Sequence, residues 1–126
     1  MYIDLLTRIK NAQAVKKDSI KAPYSNMDFA VAEVLAANKY IAGAEKKGRT
    51  SKRIIEIGLH YKEGRGAIRG VKFVSKPSLR KYIGYRDIRS IKQGYGIMIL
   101  STPQGIMTNK DARTKKLGGE ILFEIW

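Results

Sequence analysis

The chain of 126 residues carries 25 lysines and arginines against 11 acids, a formal charge of +14. It has no cysteine and one histidine, which excludes disulfides, thiolate metal sites and chemistry that needs a pair of histidines. With 44% hydrophobic and 9% aromatic residues it is composed like a folded protein of one compact domain or two small lobes.

In chain order, Ile3, Leu6, Ile9 and Ala12 recur at near-helical spacing. They predict an amphipathic helix over Tyr2–Gln13 whose polar face carries Arg8, Lys10, Asn11 and Gln13. Ser19–Pro23 reads as a short strand stopped by proline. Ser25 followed three residues later by Asp28 resembles a capping box, with Met27, Val31, Val34 and Leu35 on one face and Asn38 at the end. 'YIAGAE' is a strand. Arg53–Tyr61 alternates, with Ile55, Ile57, Leu59 and Tyr61 on one side. 'KEGRG' is a turn and 'AIRGVKFVS' its return strand. Pro77 then marks a boundary between an N-terminal lobe, residues 1–76, and a C-terminal lobe, residues 77–126.

The second lobe is β-rich, with strands in 'LRKYI', 'YGIMILS' and 'GEILFEIW'. Between the last two, Thr102-Pro103-Gln104-Gly105 matches a type I turn, proline setting φ at its second position and glycine standing fourth. Thr108 and Asp111 begin a short helix, 'NKDARTKK', closed by Gly118. The fold class expected is therefore α+β (mixed α/β), an α-β-α-β-β lobe followed by a β-rich lobe with one short helix.

A charge well above the roughly 2–8 that keep a small domain soluble points to a polyanionic partner, nucleic acid or a phosphate-rich surface. Between Glu45 and Lys92 there are 15 lysines and arginines and 4 acids, more than the protection of strand edges requires. No glycine-rich phosphate loop, dinucleotide fingerprint or zinc-ligand spacing occurs. Ser101 has no glycine elbow, and the one histidine, His60, falls on a strand far from it in sequence. No catalytic residue, metal or cofactor is expected. No apolar run approaches a membrane span, and 'MYIDLLTRIK' lacks the pattern of a signal peptide, so a cytosolic protein is expected. A nonspecific DNA-binding module and an enzyme on phosphorylated substrates are the competing classes. The absence of a repeated basic helix argues against the first, and the absence of acid/base groupings against the second.

'LLTRIKNAQ', 'VSKPSLRKY', 'GIMILSTPQGIMTNKDAR' and 'LGGEI' follow one another in this order over essentially the whole chain. As a set they resemble the universal small-subunit ribosomal protein eight, bacterial or organellar type. The resemblance implies a structural protein without catalytic activity, made of two α/β lobes. It also implies binding to the central domain of small-subunit ribosomal RNA during assembly. The partners it implies are that RNA and neighbouring small-subunit ribosomal proteins. No membrane or small-molecule substrate is expected, and the protein would be a monomer within the subunit of a cytoplasmic or organellar ribosome. The implied RNA reader is the C-terminal lobe, through the loop Ser101, Thr102, Pro103, Gln104 and Gly105, through Tyr82 with Arg80 and Lys81 beside it, and through Glu120. Arg8, Lys10 and Asn11 on the first helix would face another RNA segment. Two places depart from the family pattern. The loop there usually reads Ser-Thr-Ser-Lys-Gly, and the second helix often opens with two lysines where this chain has Asn26 and Asp28.

Overall fold

The computed structural model describes residues 2–49, 52–75, 78–88 and 96–126. The chain divides into two compact units between Ile68 and Arg69. The boundary expected at Pro77 lies outside the described residues.

In the first unit, helix α1 (Tyr2–Ala14) buries Tyr2, Leu5, Leu6, Ile9 and Ala12 along one stripe. Strand β1 (Ser19–Pro23) follows. Helix α2 (Asn26–Ala37) starts as its sequence predicts. Ser25 is extended, and its Oγ accepts a hydrogen bond from the Asp28 N–H at 3.1 Å. The Asn38 N–H closes the helix on the Val34 carbonyl. Strands β2 (Ile41–Lys47) and β3 (Ile54–Leu59) complete an antiparallel sheet in the order β1-β3-β2. The alternation of β3 is realised, with Ile55, Ile57 and Leu59 buried and Ile54, Glu56 and Gly58 half-buried. Helix α1 packs on β1, helix α2 on β2, and the two helices touch. Each large aliphatic side chain removed from water there contributes about 1.5–3 kcal/mol. The order α-β-α-β-β is thus as expected. A two-residue hairpin of β4 (Tyr61–Lys62) and β5 (Arg65–Gly66) ends the unit.

One expected pairing is overturned. The segment after 'KEGRG' does not return along β3. Its strand β6 (Val71–Phe73) pairs with the C-terminal strand β10 (Gly119–Ile125), Phe73 opposite Phe123. Trp126 extends this pairing, exchanging backbone hydrogen bonds with Gly70 at 3.1 Å each way. Gly70 is a glycine because a side chain there would run into the Trp126 indole.

The second unit's sheet has the order β6-β10-β8-β9, with β7 (Tyr82–Ile83) also on β10. Strands β8 (Ile97–Thr102) and β9 (Gly105–Thr108) form a tight hairpin, Thr102 opposite Gly105. Helix α3 (Asn109–Thr114) follows at once, its first turn capped by the Thr108 hydroxyl accepting from the Asp111 N–H at 3.2 Å. The buried Asn109 accepts from the Met98 N–H at 3.1 Å and ties the helix to β8. On one face Ile88, Met98, Leu100, Met107 and Ala112 form a core with Ile83, Tyr85, Leu117 and Ile121 against it. The architecture is α+β, with a β-rich second unit containing one short helix among its described residues.

Helix α3 ends differently from expectation. The left-handed residue is Lys116, φ 57°, and the Leu117 N–H reaches the Ala112 carbonyl. Gly118 has another purpose, because a Cβ on it would press on the Ile83 carbonyl oxygen.

Candidate nucleic-acid interface

The register of the second sheet assembles residues that are far apart in sequence. Tyr82 on β7 stands opposite Glu120 on β10, Glu120 opposite Ser101 on β8, and Ser101 opposite Ile106 on β9. Side chains directly opposite across antiparallel strands share a face. Tyr82, Glu120, Ser101 and Ile106 therefore make one row, on the face opposite the core residues Ile83, Ile121, Leu100 and Met107. Adjacent strands lie about 4.8 Å apart, so Tyr82 and Ser101 are held roughly 10 Å from each other.

Several features make that row rigid. Gly119 precedes Glu120, and any Cβ there would be driven into the Ser101 carbonyl oxygen. The double glycine of 'LGGE' is therefore what lets β10 enter between β7 and β8. Ser75, fully buried, accepts from the Lys81 N–H at 2.9 Å and its hydroxyl reaches back to the Lys81 carbonyl at 3.4 Å. The same carbonyl accepts from the Ile121 N–H at 2.8 Å. These bonds fix the backbone from which Arg80 and Tyr82 project.

The row is polar and nearly balanced in charge. Arg80 Nη1 donates to Glu120 Oε2 at 3.1 Å, so the carboxylate carries its own counter-charge. One Glu120 oxygen keeps lone pairs for a further donor. Tyr82 is 71% exposed, a large aromatic face in water at the end of the row. Lys81 is exposed beside it.

The β8–β9 loop adds the tip. Pro103, Gln104 and Gly105 are exposed, and Gly105 takes a φ of +118°, where a side chain would be strained although space is open. Ser101 and Thr102 are not equivalent. The Thr102 hydroxyl donates to the Gly105 carbonyl at 2.8 Å and accepts from the Gln104 N–H at 3.2 Å, in a side chain almost wholly buried. It closes the turn. Ser101, half-buried, belongs to the row.

The structure thus brings together Tyr82, Arg80, Glu120, Ser101 and the loop to Gly105 within one unit. Arg8, Lys10 and Asn11 lie in the other unit, all exposed on the solvent side of α1. Ser75 and Gly119 were not foreseen as parts of the site. The paired glycines before an apolar strand were the available signal for Gly119; nothing local marks Ser75. Among the described residues there is no grouping of three or more histidines, aspartates or glutamates fit to hold a metal, and no helix long and apolar enough to cross a membrane.

The family model described as ribosomal protein S8 matches residues 2–126. This chain belongs to the ribosomal protein S8 family. Among similar S8 proteins, the small ribosomal subunit protein uS8 of Vesicomyosocius okutanii is 42% identical over 98% of this chain and 94% of its own length. That of Mycoplasmopsis pulmonis is 43% identical over 98% of this chain and 93% of its own. That of Leptothrix cholodnii is 44% identical over 94% and 91%. The S8 family consists of structural proteins of the small ribosomal subunit and not of enzymes.

Proposed function

We propose that the protein binds small-subunit ribosomal RNA directly, in its central domain, and helps that RNA to assemble. The observation that carries this reading is the row Tyr82–Glu120–Ser101, set on three adjacent strands and ended by the Thr102–Gly105 turn. Irregular RNA exposes base edges, base faces and 2′-hydroxyls, and this row offers a group for each. Tyr82 supplies a stacking face. Glu120, neutralised by Arg80, accepts from a base amino group or a 2′-hydroxyl without repelling the backbone as a bare carboxylate would. Ser101 gives and accepts a hydrogen bond. Gly105 and Gln104 let the RNA come close to the turn, where Pro103 contributes an apolar face.

Lys81 supplies charge beside the row for phosphates. Arg8, Lys10 and Asn11 serve a separate RNA segment from α1. The setting we propose is the cytoplasmic ribosome, with the protein as a single copy beside other small-subunit proteins; the relatives' shared name supports the ribosomal part of this. The test is footprinting on small-subunit ribosomal RNA with the purified protein. Protection confined to one irregular helix is expected, and it should fade with Tyr82→Ala. Protection scattered over many helices, or equal competition by duplex DNA, would contradict the reading.

A further inference from the structure

A second basic region lies at one end of the first unit's sheet, where β1 finishes and the chain re-enters β3. Pro23 stands opposite Ile54, and the Tyr24 N–H donates to the Arg53 carbonyl at 3.3 Å, which fixes Tyr24 beside the start of β3. The Lys46 ammonium lies 5.4 Å and the Arg53 guanidinium 5.8 Å from the centre of the Tyr24 ring. Both are within cation–π range, so the ring holds two cationic heads in place before any partner arrives. The Tyr24 hydroxyl donates to Asn26 Oδ1 at 2.9 Å and anchors the ring in turn.

Against this lies a shallow concavity of about 380 Å³ with Ala22, Pro23 and Ile54 as its floor and Lys21, Lys52 and Arg53 as its rim. Its neighbour Lys47 shows the contrast. The Lys47 ammonium is taken up by Glu56 at 2.9 Å and Glu45 at 3.8 Å, so its charge is cancelled locally.

We propose that this end of the first unit is a second RNA contact that seats one unpaired nucleotide, its base or ribose on the apolar floor and its phosphates against Lys46, Lys52 and Arg53. The floor is what selects a nucleotide. A carboxylate would satisfy the cations and leave the apolar surface in water, whereas a base or ribose covers it. The size suits a small planar ligand. This rests on the protein being an RNA binder, but not on the row in the second unit.

The test compares the full-length parent with Lys46→Ala/Lys52→Ala/Arg53→Ala on small-subunit ribosomal RNA over a salt series. Three phosphate contacts at about 0.7–0.9 each should take roughly 2.1–2.7 from the slope of log K against log salt. The charge-keeping set Lys46→Arg/Lys52→Arg/Arg53→Lys should restore it. A photoreactive phenylalanine at position 24 should cross-link to RNA in reconstituted subunits. An unchanged slope in a folded triple variant, or cross-links only to neighbouring protein, would overturn the inference. If the triple variant does not fold, Lys52→Ala alone on the exposed rim decides by the same slope. Failure here leaves the parent still bound and still weakened by Tyr82→Ala; failure of the RNA reading as a whole leaves the parent unbound.

Discussion

The row of the second unit and the basic end of the first unit carry polarity in different ways. In the row, position is set by backbone pairing on β7, β10 and β8, and the one strong pair, Arg80 with Glu120, neutralises itself. At the basic end, Lys46 and Arg53 are steadied by an aromatic ring, and their charge is not cancelled by it. Fixed neutral hydrogen-bonding groups discriminate among base edges and sugars. Positive charge on flexible side chains attracts any phosphate. On the proposed function the row supplies most of the specificity and the basic end salt-dependent affinity, and each substitution below is chosen to break one side of that division.

The largest effect is expected from Gly119→Val. The added side chain collides with the Ser101 backbone, which cannot step aside as a flexible side chain can. A loss of roughly 1–3 kcal/mol or more in stability should accompany loss of the specific footprint. Thermal melting and footprinting on the same sample check this; a variant that melts and protects like the parent would show that β10 has room there.

Next is Tyr82→Ala. The side chain is exposed, so melting should hardly move, while loss of one base stack should weaken RNA binding by about 1–3 kcal/mol, roughly 5- to 150-fold. Thr102→Val should act in the opposite sense to a reading residue. It removes both hydrogen bonds that close the turn, so about 0.5–1.5 kcal/mol per bond should appear in melting before any change in contacts to RNA. Arg8→Ala with Lys10→Ala should leave melting unchanged and reduce the salt slope by roughly 1.4–1.8.

The smallest effect concerns pH. The hydrogen bond from Lys47 holds the Glu56 carboxyl below its ordinary 4.5, and the same bond raises Lys47 above its ordinary 10.5. The contribution of Glu56 to stability is therefore complete above the ordinary carboxylate value and is lost as the pH falls through the depressed one. That of Lys47 is lost only as the pH rises past its raised value. Both side chains are partly in water, so Glu56→Gln should flatten the acid limb of the melting profile only slightly. RNA binding at neutral pH should not change.

Local signals in the sequence were legible and distant ones were not. The caps at Ser25 and Thr108 could be read because a hydroxyl and the backbone N–H three residues on meet within a single turn. The alternation of Ile55, Ile57 and Leu59 showed which face of β3 is buried. The Pro103–Gly105 turn was visible because proline sets its own φ and glycine admits the positive φ of +118° found at Gly105. What failed depends on a partner elsewhere in the chain. Val71–Phe73 looks like a strand from any direction, and nothing in it names β10 as its neighbour. Gly118 looked like a helix end, yet Lys116 takes that backbone conformation and Gly118 answers to a carbonyl on β7. Within the site, the residue types could be read but their division of labour could not. The two hydroxyls of Ser101 and Thr102 are adjacent in sequence, and only the folded loop shows that one is spent on closing it.

The most direct test of the central claim is the affinity of Ser101→Ala and of the parent for small-subunit ribosomal RNA, measured over the same salt series. Ser101 is neutral and lies in the row between Glu120 and Ile106. Its removal should weaken binding by about 0.5–1.5 kcal/mol, roughly 2- to 12-fold, at every salt concentration, with the two lines parallel and melting unchanged. Coincident lines from a properly folded variant would contradict the claim that this row reads the RNA.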